Sequence, residues 1–78
     1  VSVTVRYFAA AEEIAGTPAE QRGAATVGEL RAQLLAAHPG FDGVLPRCAL
    51  LVDGARVDDE HLLTGSETID VLPPFAGG

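Results

Sequence analysis

Thr26-Val27-Gly28-Glu29-Leu30-Arg31-Ala32-Gln33-Leu34-Leu35-Ala36-Ala37 decides the fold, because this segment carries the marks of a full-length helix. Thr at the N-cap and Glu three positions on form a capping box, which gives partners to backbone N–H groups that a first turn leaves orphaned. Val27, Leu30 and Leu34 then fall on one helical face. His38-Pro39-Gly40 ends the helix.

Working outward toward the N-terminus, Val1, Val3, Val5 and Tyr7 alternate with Ser2, Thr4, Arg6 and Phe8, the period-2 pattern of a strand with one buried face. Residues 9–15 predict a short helix stopped by Gly16, with Glu12 and Glu13 exposed. Thr17-Pro18 opens a weaker strand over 19–23, placed at a sheet edge. On the C-terminal side a loop through Phe41, Asp42, Gly43 and Pro46 leads to a strand over 47–52. Asp53-Gly54 is a type I′ hairpin signal into a short strand over 55–57. Residues 58–66 predict a loop with one helical turn holding Leu62 and Leu63, before a final strand over 68–72. This order suits an α+β fold, a small mixed sheet curled around one main helix: the β-grasp, ubiquitin-like architecture. There the first and last strands lie side by side and parallel at the centre of the sheet.

Strand parity has a functional consequence. If Val3, Val5, Ile69 and Val71 face the helix, then Phe8 and Leu72 share the outer face with Arg6 and Asp70. An aromatic ring and a leucine converging beside the root of the tail suggest a docking patch.

The tail itself is Leu72-Pro73-Pro74-Phe75-Ala76-Gly77-Gly78. Pro73 and Pro74 lack amide donors and have fixed φ, so they end the ladder and hold the chain extended. The last five residues then reach roughly 17 Å at ~3.3 Å per residue, enough to enter a partner's cleft while the domain docks outside it. Gly77 and Gly78 make the tip thin and let a partner enclose the backbone. A carboxylate is a poor electrophile and requires activation, yet the chain has no G-x-x-x-x-G-K-[ST] loop to cradle nucleotide phosphates. That chemistry is expected from a partner.

Composition bounds the rest. Seventy-eight residues make one domain, over 1–78, with 73–78 as its tail, and 47% hydrophobic content is enough for a core. No apolar run approaches a membrane span and no secretory signal is visible, so the sequence reads as soluble and cytoplasmic. Eleven acidic residues against five basic ones give a net charge of −6 without a basic run, which argues against nucleic acid and anionic membranes as partners. A basic protein surface is the better expectation. All the basic residues are arginines, so no side chain accepts an isopeptide bond. Cys48 is the only cysteine and lies in an apolar run, which predicts a structural thiol. His38 and His61 have no partner at a metal-ligand spacing, so no metal is expected. His38 reads as a helix C-terminal residue set against the dipole, and Asp58-Asp59-Glu60 as a solvated turn.

Arg6-Tyr7-Phe8-Ala9-Ala10, the capped helix from Thr26, and Val71-Leu72-Pro73-Pro74-Phe75-Ala76-Gly77-Gly78 resemble the family of small, sulfur-carrier subunits of molybdopterin synthase. The resemblance covers essentially the whole chain, and the hydrophobic strand followed by Pro-Pro-x-x-Gly-Gly is its most specific part. It implies a non-catalytic carrier in molybdenum cofactor biosynthesis, with no bound cofactor. Gly78 would be adenylated by an ATP-dependent, E1-like activating enzyme and converted to a thiocarboxylate. Pro73, Pro74, Phe75, Ala76 and Gly77 would insert into the large synthase subunit. Phe8 and Leu72 match apolar positions used against partners. Arg56 stands where an apolar docking residue can occur, and Glu12 where an arginine is common. Gly65-Ser66-Glu67 departs from the frequent Asp-Gly-Asp turn. Related β-grasp carriers for cysteine or thiamine thiazole synthesis, and ubiquitin-like protein modifiers, remain the alternatives.

Overall fold

The computed structural model of the chain describes residues 2–74. Its elements run β1 (Val3–Tyr7), α1 (Ala10–Ala15), β2 (Ala19–Arg22), α2 (Val27–Ala37), β3 (Ala49–Val52), β4 (Ala55–Arg56) and β5 (Thr68–Leu72). One-turn 3-10 helices at Pro39–Phe41 and Leu45–Arg47 fill the connection from α2 to β3. The strands form one sheet in the order β2-β1-β5-β3-β4. β1 and β5 pair in parallel at its centre and the other neighbours are antiparallel. This is the predicted β-grasp topology, with the parallel central pair in place.

Alternation produces the layering. Val3, Val5 and Tyr7 of β1, Leu50 and Val52 of β3, and Ile69 and Val71 of β5 are buried and join Val27, Leu30 and Leu34 of α2 in one core. Thr26 Oγ1 accepts the Glu29 N–H at 3.1 Å and so caps α2. The return bond from the Thr26 N–H to the Glu29 carboxylate is absent among the described residues, so only half of the capping box forms. The Asp53-Gly54 turn joins β3 to β4 with φ of 48° and 85°, the two positive values a type I′ turn demands.

Several boundaries differ from expectation, among them α1, which begins at Ala10, and β2, which ends at Arg22, each one residue short. The first strand covers Val3–Tyr7, and Val1 lies outside the described residues. Ala9 takes φ of 50° and turns the chain sharply between β1 and α1. The third strand begins at Ala49: Arg47 and Cys48 donate their N–H groups to Val44 and Leu45 carbonyls, closing a turn where a strand start was predicted. β4 stops at Arg56, one residue short.

The segment between β4 and β5 makes a turn but no helical turn. Apart from the His61 N–H to the Asp58 carbonyl at 3.2 Å, its backbone bonds go outward. The Gly28 N–H donates to the Asp59 carbonyl at 2.8 Å, the Val27 N–H to His61 at 3.1 Å, and the Leu63 N–H to the Ala25 carbonyl at 2.9 Å. The Asp59 and His61 carbonyls thus accept from the first amides of α2 and are not left to close a helix within the loop. Leu63 is buried while Leu62 is 71% exposed. Asp59 is not merely solvated, since its carboxylate meets Arg31 Nε at 3.1 Å.

Glu67, immediately before β5, accepts from the Thr64, Gly65 and Ser66 N–H groups and the Thr64 hydroxyl, all within 3.1 Å. Led by the Thr64 and Gly65 amides, these donors hold its carboxyl down at about 2, from an ordinary 4.5. The folded pKa lies below the unfolded one, so this contribution is complete above pH 4.5 and fades as pH falls toward 2. Glu67→Gln is therefore expected to lower the urea midpoint at pH 7 and to flatten its decline between those limits. An unchanged midpoint at pH 7 would refute this.

Candidate functional site

The outer face of the sheet, opposite α2, is built by the residues that alternate with the core. Register places Arg6 beside Asp70, Asp70 beside Leu51, and Leu51 beside Arg56 in one row across four strands. The next row toward the tail holds Leu72 beside Ala49. Phe8 follows β1 at the same end, its N–H donating to the Val71 carbonyl at 3.3 Å. Phe8 is 37% exposed, and Leu72, Ala49 and Leu51 are half-buried. The Arg6 guanidinium forms a two-point bond with the Asp70 carboxylate, at 2.7 and 2.9 Å, and its central carbon lies 5.5 Å from the centre of the Phe8 ring. Arg6 is thus neutralised by Asp70 and steadies Phe8 from one side.

Phe8 and Leu72 are therefore brought together beside the root of the tail, on the face that parity predicts. Pro73 is half-buried and Pro74 exposed, directly beyond β5. Phe75, Ala76, Gly77 and Gly78 lie outside the described residues. Arg56 is exposed on the same face, two strands from β5. Ala49 and Leu51, which join the Phe8–Leu72 row to Arg56, were not singled out in the sequence; the alternation of β3 against Leu50 and Val52 was the signal that could have found them.

A second cluster was not anticipated. The Glu20 carboxylate on edge strand β2 accepts from the Tyr7 hydroxyl at 2.5 Å, meets His38 Nε2 at 2.6 Å and pairs with Arg22 at 3.0 Å. Burial works to raise the Glu20 carboxyl, but these donors outweigh it and hold the group below its ordinary range. Burial, followed by the bond to Glu20, raises the Tyr7 hydroxyl. His38 does end α2, yet its ring is engaged by Glu20 and by edge contacts with Tyr7 and Phe41, each with ring centres 5.9 Å apart. The cluster ties the edge strand to the end of the helix. Cys48 is buried, its Sγ 3.4 Å from the Val44 carbonyl, and burial pushes the thiol up, as suits a structural cysteine. No helix among the described residues is long and apolar enough to cross a membrane.

A five-stranded mixed sheet grasping one helix, with an apolar patch at the root of a tail leaving its central strand, defines a ubiquitin-like β-grasp protein. The chain belongs to the ThiS family, which matches residues 5–78. It is 34% identical over 83 aligned positions to the molybdopterin synthase sulfur carrier subunit of Chlamydomonas reinhardtii, with both chains covered completely. It is also similar to the solution structure of small archaeal modifier protein 1 from Methanosarcina acetivorans, at 26% identity and a TM-score of 0.89, covering 100% of this chain and 97% of that one. A complex of subunits 1 and 2 of the molybdopterin-converting factor from Helicobacter pylori contains a further similar chain, at 29% identity and a TM-score of 0.74, with both chains covered completely.

Proposed function

We propose that this chain is the sulfur-carrier subunit of a molybdopterin synthase, acting in the cytoplasm in molybdenum cofactor biosynthesis. The observation that carries the reading is end-to-end similarity to a curated sulfur carrier subunit in a chain whose central strand runs into Pro73-Pro74 and Gly77-Gly78. In this reading a Gly78 carboxylate oxygen attacks the α-phosphorus of ATP in an E1-like activating enzyme, releasing pyrophosphate. Sulfur at the sulfide level then displaces AMP from the carbonyl, leaving a thiocarboxylate. The phosphate chemistry belongs to the partner and the acyl carbon to this chain, which binds no cofactor. The Phe8–Leu72 patch docks the carrier on the large synthase subunit and the tail from Pro73 to Gly78 enters its cleft. The thiocarboxylate, largely anionic at neutral pH, is the soft nucleophile that gives sulfur to the pterin precursor.

The test is the intact mass of the chain after incubation with ATP, the activating enzyme and sulfide. Replacement of one oxygen by sulfur, localised to Gly78 by fragmentation, is expected. An unaltered terminus under those conditions would overturn the reading.

The likeness to small archaeal modifier protein 1 favours a second reading, a ubiquitin-like modifier that joins Gly78 to lysines of other proteins. With no lysine of its own, the chain would then be attached singly, never polymerised through its side chains. Affinity-tagged chain recovered from cells with Gly78 bonded to lysine would establish that role.

A further inference from the structure

Beyond β4 the edge of the sheet opens into a cleft of about 170 Å³, lined by Arg31, Cys48, Ala49, Leu50, Arg56 and Val57. It exists because β4 is short: Leu51 and Val52 pair with Arg56 and Ala55, while Ala49 and Leu50 have β5 on one side and no partner strand on the other. Both charged residues in its lining are arginines. Arg31 is anchored, its Nε 3.1 Å from Asp59 and one terminal nitrogen 3.3 Å from the Leu45 carbonyl, which leaves further N–H donors of the guanidinium uncommitted. Asp59 offsets its charge. Arg56 has no such counterpart. In a chain with eleven acidic residues, Arg6, Arg22 and Arg31 all sit in ion pairs, whereas Arg56, and Arg47 ahead of β3, sit in none among the described residues.

The cleft is continuous with the outer face. Ala49 lines it and is also the register partner of Leu72 at the tail root. Elsewhere on that face Arg6 is neutralised by Asp70, and Phe8, Leu72, Ala49 and Leu51 carry no charge. Among these residues, Arg56 therefore presents to a covering protein the charge that has no ion-pair partner. Burying it unpaired would weaken association, whereas a carboxylate can bind the guanidinium at two points.

Resting on the reading of this face as the docking surface for the large synthase subunit, we propose that the partner presents an aspartate or glutamate side chain to this cleft, where Arg56 closes on its carboxylate beside Arg31. Arg56 is then the residue that selects an acidic contact in the partner. Cys48 does not compete, since it stays a neutral thiol whose proton points to the Val44 carbonyl.

The experiment is binding of the full chain to the large subunit encoded in the same genome, followed by calorimetry at low and high salt. Arg56→Glu is expected to raise Kd by at least about tenfold and Arg56→Gln by less, with both variants keeping the wild-type circular dichroism and melting temperature. Converting the acidic residues of the large subunit singly to lysine should yield one variant that restores tight binding to Arg56→Glu. Wild-type binding with Arg56→Glu equally tight would overturn the acidic contact alone. Absence of binding by the wild-type chain would overturn the docking reading and this inference with it.

Discussion

Deletion of Gly78 is expected to abolish sulfur transfer while leaving the melting temperature nearly unchanged. The shortened chain still ends in a glycine carboxylate, so the acid group survives, but the tail loses up to roughly 3.5 Å of reach, the span of one residue. Misplacement of a reacting group by about 1 Å commonly costs about 100-fold in rate, so a whole-residue retreat takes the carbonyl out of reach of both partners' reacting groups. Stability is another matter. The ladder between β5 and its neighbours closes at Leu72, and the described core ends at Val71. Transfer to the pterin precursor would be followed in the reconstituted synthase, with unfolding measured in parallel. Retained transfer would remove Gly78 from the chemistry, and a large loss of stability would mean that the terminus serves the fold.

Phe41→Ala is expected to have the largest effect on stability, about 3–5 kcal/mol. Phe41 is the largest fully buried side chain, with its ring centre 5.8 Å from that of Tyr7 and 5.9 Å from that of His38. Small domains have total stabilities of about 5–15 kcal/mol, and one of this length belongs at the low end, so the variant should be substantially unfolded at moderate urea. Leu62→Ala supplies the contrast. At 71% exposed it should fall within about 0.5 kcal/mol of the parent. Equal effects of the two substitutions on the urea midpoint would contradict the assigned core.

The difference between Phe41 and Leu62 shows where reading the chain residue by residue loses its grip. Phe41 follows Pro39-Gly40 and precedes Asp42-Gly43, a composition that marks a loop, and it is a loop in the sense that no long element contains it. Yet the 3-10 turn at Pro39–Phe41 swings the ring under Tyr7, and that contact joins positions far apart in the chain. Leu62 and Leu63 are identical side chains in adjacent positions, with nothing local to tell which is buried. The Leu63 N–H bond to the Ala25 carbonyl makes the choice.

The candidate site divides in the same way. Period-2 alternation in β1 and β5 was enough to put Phe8 and Leu72 on the outer face, because a strand has only two sides. The cleft beside Arg56 depends instead on how far β4 pairs with β3, a matter of one residue, and on Arg31 arriving from α2.

From the residues alone follow the elements whose causes are local: the capped helix from Thr26, the alternating strands, the Asp53-Gly54 turn, and a tail whose prolines cannot extend a ladder and whose glycines carry no side chain. Steric limits on φ and hydrophobic periodicity act over a few residues, so they are written wherever those residues stand. Phe41 in the core, Glu20 holding Tyr7, His38 and Arg22 together, and the open edge at Arg56 were decided only when the sheet closed on α2. Each depends on groups distant in sequence whose burial and pairing energies exist only once the chain has brought them together.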